Sequence, residues 1–408
     1  MKRALQITLG ILTAIGGFVD MGDLVANAST GARFGMRLAW VVPVGVIGIV
    51  VYAEMAGRVA AISGRPVFEL VRERLGPGFG LLNLLASFFI NFLTLTAEIA
   101  GVALALSLVA SVHYALLLPF VAFLVWVVAF RLPFEWMERV FGLAGLALLV
   151  FVVTVVKIGP DWSDLFAATR PMVPSDETIF TYAYYAIALF GAAMTPYEVF
   201  FFSSGAVEEG WTLDDLALNR ANVYVGFPLG GILSLGLMAS AYLVLGPHDI
   251  GVETLGQVTL PSVVILGKVG LAAVLVGVFA ATFGAALETS LSAGYVVSQY
   301  FGWQWGKRGR PAQASRFHLV VLLTLLGALL FALSGVDPVK VTEYSIVLSA
   351  AALPLTYFPI LVIANDPAYM GEKTNGRFLN GIATVYLGIL TVVALLAIPL
   401  IIITKGGA

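Results

Sequence analysis

The chain has 408 residues, 60% of them hydrophobic and 11% charged, with 22 basic against 24 acidic side chains for a formal net charge of −2. Soluble domains carry about 25% charged residues, so the composition marks a polytopic membrane protein, and without an extended basic patch no nucleic-acid partner is expected. Cysteine is absent and the three histidines, His113, His248 and His318, fall in or beside loops, so a metal held within the membrane must use oxygen ligands, with methionine sulfur as the only soft donor.

A helix needs about 20 apolar residues to cross the hydrocarbon. Runs of that kind predict eleven spans, over 5–28, 38–62, 79–108, 114–130, 138–158, 179–206, 221–246, 260–300, 317–335, 342–364 and 379–403. The third and eighth exceed one bilayer thickness and are expected to tilt or to carry turns outside it. Lys2, Arg3 and Ala26-Asn27-Ala28 mimic a signal peptide and its cleavage site. Asp20 and Asp23 interrupt that region, and it reads as a retained first helix. An inner N-terminus puts fifteen of the 22 basic residues on the cytoplasmic side, including Arg58, Arg65, Arg72 and Arg74. The positive-inside rule therefore places the N-terminus in the cytoplasm and the C-terminus outside, in what is expected to be a bacterial plasma membrane. Tyr182, Tyr184 and Tyr185 read as an interfacial belt, and Gly226 to Gly231 as a close helix contact. No Ser/His/Asp grouping or zinc spacing occurs, so neither an enzyme nor a bound cofactor is expected; the partners are the lipid bilayer and a transported ion, and the oligomeric state is open.

The spans contain six acids, Asp20, Asp23, Glu54, Glu98, Glu198 and Glu288, and near them only one base, Arg58. A charge at bilayer depth costs roughly 2.5 to 3.5 kcal/mol on insertion scales, so these acids are expected to face a protein-lined or watery cavity. Glu54 lies four residues before Arg58, the favourable order for a helical ion pair. Glu288 sits among small residues, where a structural hydrogen bond and a place in an ion path weigh evenly. Glu98 has no basic partner nearby and fits a functional role better. Glu198 follows a break and can act at a helix start or in the ion path. For Asp20 and Asp23 the bland reading is a helix cap, which employs one but hardly both.

The first span is broken at Asp20-Met21-Gly22-Asp23 and the sixth at Met194-Thr195-Pro196-Tyr197-Glu198, where proline removes an N–H donor. The breaks lie five helices apart. Interrupted spans at matching positions of two halves point to a midplane binding site in inverted-repeat transporters. The expected architecture is an all-α, LeuT-like 5+5 inverted repeat with unwound helices 1 and 6: a first repeat over 1–158, a second over 179–364 and an extra helix over 379–403.

These motifs resemble those of the natural resistance-associated macrophage protein (Nramp) family of divalent-metal transporters, which carries Asp-Pro-Gly-Asn in helix one and Met-Pro-His in helix six. The resemblance continues through Gly57-Arg58-Val59 to Arg74, through Ala97-Glu98-Ile99-Ala100-Gly101, and through Leu353-Pro354 to Asn365-Asp366 and Met370-Gly371-Glu372. It implies that Asp20 and the carbonyl of Ala192 are metal ligands, that Asp23 replaces an asparagine ligand, and that Glu98 belongs to a proton pathway. Thr195 stands for the family's methionine, Tyr197 for its histidine, Glu198 for a residue that is usually asparagine, and Ser345 for a glutamine of helix ten. Leu95 and Phe202 replace a second acid and a later histidine.

Thioether and imidazole favour later transition metals, whereas carboxylate, carbonyl, hydroxyl and water favour hard ions. The expected cargo is therefore Mg²⁺, with Mn²⁺, bound by Asp20, Asp23, Ala192, Thr195, Tyr197 and Glu198, with Glu98, Glu288 and Ser345 along an ion or proton path. Met21 and Met194 remain open as sulfur ligands. With the relay residues replaced, uptake is expected to be weakly coupled to protons or uncoupled. The alternatives are a proton-coupled Mn²⁺/Fe²⁺ importer and, less favoured, an amino-acid carrier of the same fold, whose substrate carboxylate the two aspartates would repel.

Overall fold

Among the described residues of the computed structural model, which are 11, 18–307 and 311–407, ten helices are long and apolar enough to cross a membrane. The start of the first predicted span, 5–28, lies outside the described residues; its visible part leads through Phe18 into the break at Asp20 and then α1 (Met21–Phe34). The chain continues through α2 (Val41–Ser63), the short α3 (Val67–Leu75), α4 (Pro77–Ala110), α5 (Tyr114–Arg131) and α6 (Val140–Ile158). A second set opens with a helix in two pieces, α7 (Ile179–Ala193) and α8 (Pro196–Glu208). It runs on through α9 (Phe227–Val244), α10 (Leu255–Phe301), α11 (Ser315–Leu333) and α12 (Pro338–Ala364), and α13 (Arg377–Ile403) follows. The two long spans differ in kind. α4 is continuous over 34 residues, whereas α10 is divided at Gly267, whose φ of 61° leaves the helix, so its surplus length is a separate segment ahead of the kink.

α4 packs along α10, α1 against α9, α8 against α2, and α12 against both α4 and α13. The apolar window is 89% buried in α2 and in the α7–α8 pair but 22% buried in α13, so the broken helices lie at the centre and α13 at the rim. Lipid offers no hydrophobic force between helices, and close approach depends on small residues. A Cβ at Gly31 of α1 would lie 2.2 Å from the Met238 carbonyl oxygen of α9, and one at Gly231 would lie 2.7 Å from Val46. Gly31→Ala should therefore cost about 1 to 3 kcal/mol by overpacking, read as a lower thermal midpoint in detergent; an unchanged midpoint would show that α1 and α9 separate freely.

Charged residues tie the ends of the bundle. Glu54 and Arg58 form the expected i,i+4 pair at 3.2 Å. Arg65 bonds Glu69 at 2.8 Å and Glu73 at 2.6 Å, and Arg74 pairs with Asp366, so two distant stretches of the family-like sequence meet at one membrane face. Outside the membrane, the Arg65 guanidinium holds the Glu73 carboxyl below its ordinary range, and the Ala368 amide with Arg74 does the same for Asp366.

The tyrosines of α7 correct one expectation. Tyr182 and Tyr184 are buried, and the Tyr182 hydroxyl donates to the Arg37 carbonyl at 3.0 Å while accepting from Trp40 Nε1 at 3.2 Å. Tyr185 packs on Phe34 and accepts from Arg33 at 3.3 Å. Tyr182 and Tyr185 seat α7 on the end of α1 and the turn after it, while Tyr184 is buried against Tyr185 and Gly407, so the three form no belt in the lipid headgroups; identical composition serves either use, and only the tertiary neighbours decide.

Candidate functional site

Each break leaves backbone groups without helical partners, and their partners define the site. Asp20 is the N-cap of α1 and accepts the Asp23 amide on Oδ1 at 2.8 Å. The Met21 amide donates instead to both oxygens of Glu98 on α4, at 3.1 and 3.3 Å. Opposite, Pro196 occupies the first position of α8, where a missing N–H leaves no donor unmet within that helix. Its cost falls on α7: the helical donor to the Ala192 carbonyl would be the amide of residue 196, and proline has none. That carbonyl accepts only weakly, from Thr195 Oγ1 at 3.3 Å, and stays available at the break.

Between the breaks lies a small cavity of about 20 Å³ lined by Asp20, Glu98, Ala192, Thr195 and Ser345, with Thr94, Thr342 and Ser349 adding hydroxyls. The Tyr197 hydroxyl donates to Asp20 Oδ2 at 3.2 Å from behind, and Thr94 and Ser345 share a hydrogen bond of 3.1 Å. Every polar side chain on this wall presents oxygen. Met21 and Met194, both fully buried, point elsewhere: their sulfurs lie against Gly101 of α4 and Gly48 of α2.

The second aspartate is placed differently. Asp23 Oδ1 accepts from Asn27 Nδ2 at 2.9 Å and Oδ2 from the Ser234 hydroxyl of α9 at 2.7 Å, and the residue is not on the cavity wall. Glu198 stands in the first turn of α8, 2% exposed and off the wall, close enough to Asp20 and Tyr357 to act on them electrostatically. Glu288 of α10 is buried and within electrostatic reach of Glu98. No ion pair among the described residues includes Asp20, Asp23, Glu98 or Glu198. No group of three His, Cys, Asp or Glu close enough to hold a metal occurs among the described residues, so a bound ion would draw on carbonyl, hydroxyl and water oxygens beside Asp20.

The sequence profile described as "Natural resistance-associated macrophage protein-like" matches residues 10–400. The chain belongs to the Nramp family. Among Nramp relatives it is 27% identical over 408 aligned residues to the divalent metal cation transporter MntH 1 of Pseudomonas aeruginosa, covering 96% of this chain and 90% of that one. It is 25% identical to the divalent metal cation transporter MntH of Erwinia tasmaniensis, covering 89% of this chain and 87% of that one. The Nramp fold is equally evident in a mutant of the manganese transporter of Eremococcus coleocola, with a TM-score of 0.77 at 16% identity over 95% of this chain and 85% of the other. A Na⁺-coupled sialic acid symporter in an outward-open state gives a TM-score of 0.63 at 14% identity, over 95% and 89% of the two chains. The expected LeuT-like membrane architecture is thereby shown for this Nramp chain.

Sequence reasoning passed over Thr94, Thr342 and Ser349. Thr342, Ser345 and Ser349 recur at helical spacing within the otherwise apolar α12, and that polar stripe is a signal the sequence carried; only Ser345 was singled out.

Proposed function

We propose that this protein carries divalent metal cations across the membrane by alternating access, taking hard ions, Mg²⁺ together with Mn²⁺, into the cytoplasm without obligatory proton coupling. The observation that carries the reading is the all-oxygen wall around Asp20, with both candidate methionine sulfurs turned away from it. Such donors suit hard cations, and the MntH relatives are named as divalent metal cation transporters. Asp20 serves as the direct carboxylate ligand with the Ala192 carbonyl, Thr195 and water. Tyr197 orients Asp20, and Asp23 and Glu198 add negative charge from just outside the wall.

A cavity of about 20 Å³ holds a single water-sized body. Mg²⁺ gives up its waters reluctantly and usually keeps several. The cavity must therefore widen as α1 and α8 move, which is what alternating access requires of helices already broken at the site. Glu98, which holds the Met21 amide, and Glu288 beside it are placed to follow that movement. Entry of a divalent ion gains about 2.3 kcal/mol per charge per 100 mV from an inside-negative potential, so no second gradient is needed. A cytoplasmic N-terminus, a bacterial plasma membrane and a two-repeat division at 1–158 and 179–364 belong to the same proposal.

The test is a reconstituted flux assay comparing Mg²⁺, Mn²⁺, Ca²⁺ and protons on the same vesicles. Saturable Mg²⁺ uptake without internal acidification is expected. Acidification that tracks metal entry, or inhibition by Cd²⁺ or Fe²⁺ at levels where excess Mg²⁺ does nothing, would establish the proton-coupled transition-metal importer instead. Asp23→Asn should retain uptake and shift selectivity toward transition metals by roughly tenfold, since removing a charge outside the ligand shell changes metal affinity by 10- to 100-fold. Competition of Cd²⁺ against Mn²⁺ flux reads the shift, and an unchanged ratio would assign Asp23 to packing alone.

A further inference from the structure

Away from the helix breaks, a cavity of about 760 Å³ opens between α2, the segment leading into α9, and the start of α13. Its two ends differ in chemistry. Val46, Val50, Leu379 and Ile382 line an apolar length, and Glu54, Arg58, Arg220, Glu372 and Lys373 stand at the other end. Ile47, Tyr224 and Phe378 on its flanks are 51%, 54% and 83% exposed, so the apolar length opens sideways, toward lipid in a membrane.

The charges at the mouth are not equivalent. Arg58 is committed: it bonds Glu54 at 3.2 Å, donates Nη1 to the Lys373 carbonyl at 2.6 Å and Nη2 to Asn375. Glu54 is thereby neutralised, and the Arg220 guanidinium, 61% exposed, stands 3.9 Å from it with most of its donors unused. The Lys373 ammonium enters no ion pair among the described residues. Arg220 and Lys373 therefore face one remaining acid, Glu372, which leaves a single net positive charge beside an apolar slot.

We propose that this cavity binds one molecule of a singly anionic glycerophospholipid, with its phosphate between Arg220 and Lys373 and an acyl chain along Val50, Leu379 and Ile382. The net charge of the mouth matches one phosphodiester, and arginine presents paired donors suited to phosphate oxygens. Basic pockets between membrane helices take anionic headgroups in this way, and the volume lies within the range of small-molecule sites. A free phosphate would leave the slot unfilled.

The test is native mass spectrometry of the full-length protein in detergent, titrated separately with phosphatidylglycerol, phosphatidylcholine and glycerophosphoglycerol. One phosphatidylglycerol per chain is expected. R220Q/K373Q should weaken it by roughly 30-fold, the size expected for two basic groups at a membrane surface. Ile382→Trp should weaken it as well by blocking the slot with every charge in place, and together with the exposed K373Q it decides the matter if the double variant does not fold. Equal binding of phosphatidylcholine, equal binding of the chain-free headgroup, affinity unchanged in the variants, or a lipid-free dimer across this face would each overturn the proposal.

Discussion

Asp20→Ala should abolish metal uptake, with flux falling more than roughly 100-fold, beyond the upper end of what removing an outer-shell partner costs a metal site. Asp20 performs two tasks at one point. Its Oδ1 caps α1 through the Asp23 amide at 2.8 Å, and its Oδ2 accepts from Tyr197 at 3.2 Å while the carboxylate fronts the cavity. Losing the cap costs about 0.5 to 2 kcal/mol, which a folded membrane protein survives and a thermal midpoint reveals. Asp20→Asn separates the tasks, because asparagine caps a helix as well as aspartate does but brings no charge to a divalent ion. The asparagine variant should fold with a near-native midpoint and still fail to carry Mg²⁺ into vesicles. Undiminished flux in either variant would remove Asp20 from the metal site.

Arg58→Ala should be the most destabilising single change outside the site, by about 3 to 5 kcal/mol, the usual result of stripping the partner from a buried charge. The side chains of Arg58 and Glu54 are only 7% and 5% exposed, and the same guanidinium also holds the Lys373 carbonyl and Asn375. It thereby fastens α2 to the segment ahead of α13. Lysine keeps the charge but has no planar fork, so Arg58→Lys should recover only part of the loss. Adding Glu54→Gln to Arg58→Ala should restore stability in part by removing the orphaned carboxylate. A midpoint for Arg58→Ala equal to that of the native chain would show that the pair stabilises nothing.

Much of this molecule is legible from local chemistry. The bilayer demands long apolar runs with internally satisfied backbones, so spans, breaks and the Glu54–Arg58 pair follow from spacing within one helix. Pro196 and the two aspartates mark the breaks for the same reason. Other assignments depend on what a second helix brings. Asp20 and Asp23 are equivalent in the sequence, yet Ser234, 211 residues further on, takes Asp23 at 2.7 Å while Tyr197 meets Asp20 at the cavity. Met21 and Met194 flank the site in sequence, but helix rotation sends their sulfurs toward Gly101 and Gly48. Tyr182 and Tyr184 have the composition of a headgroup belt, yet both are buried, Tyr182 against the turn after α1 and Tyr184 against Tyr185 and Gly407. Spacing along the chain can say that a carboxylate lies at a break inside the membrane; which way it faces is set by the shape and hydrogen-bond donors of neighbours hundreds of residues away, and those become neighbours only when the bundle packs.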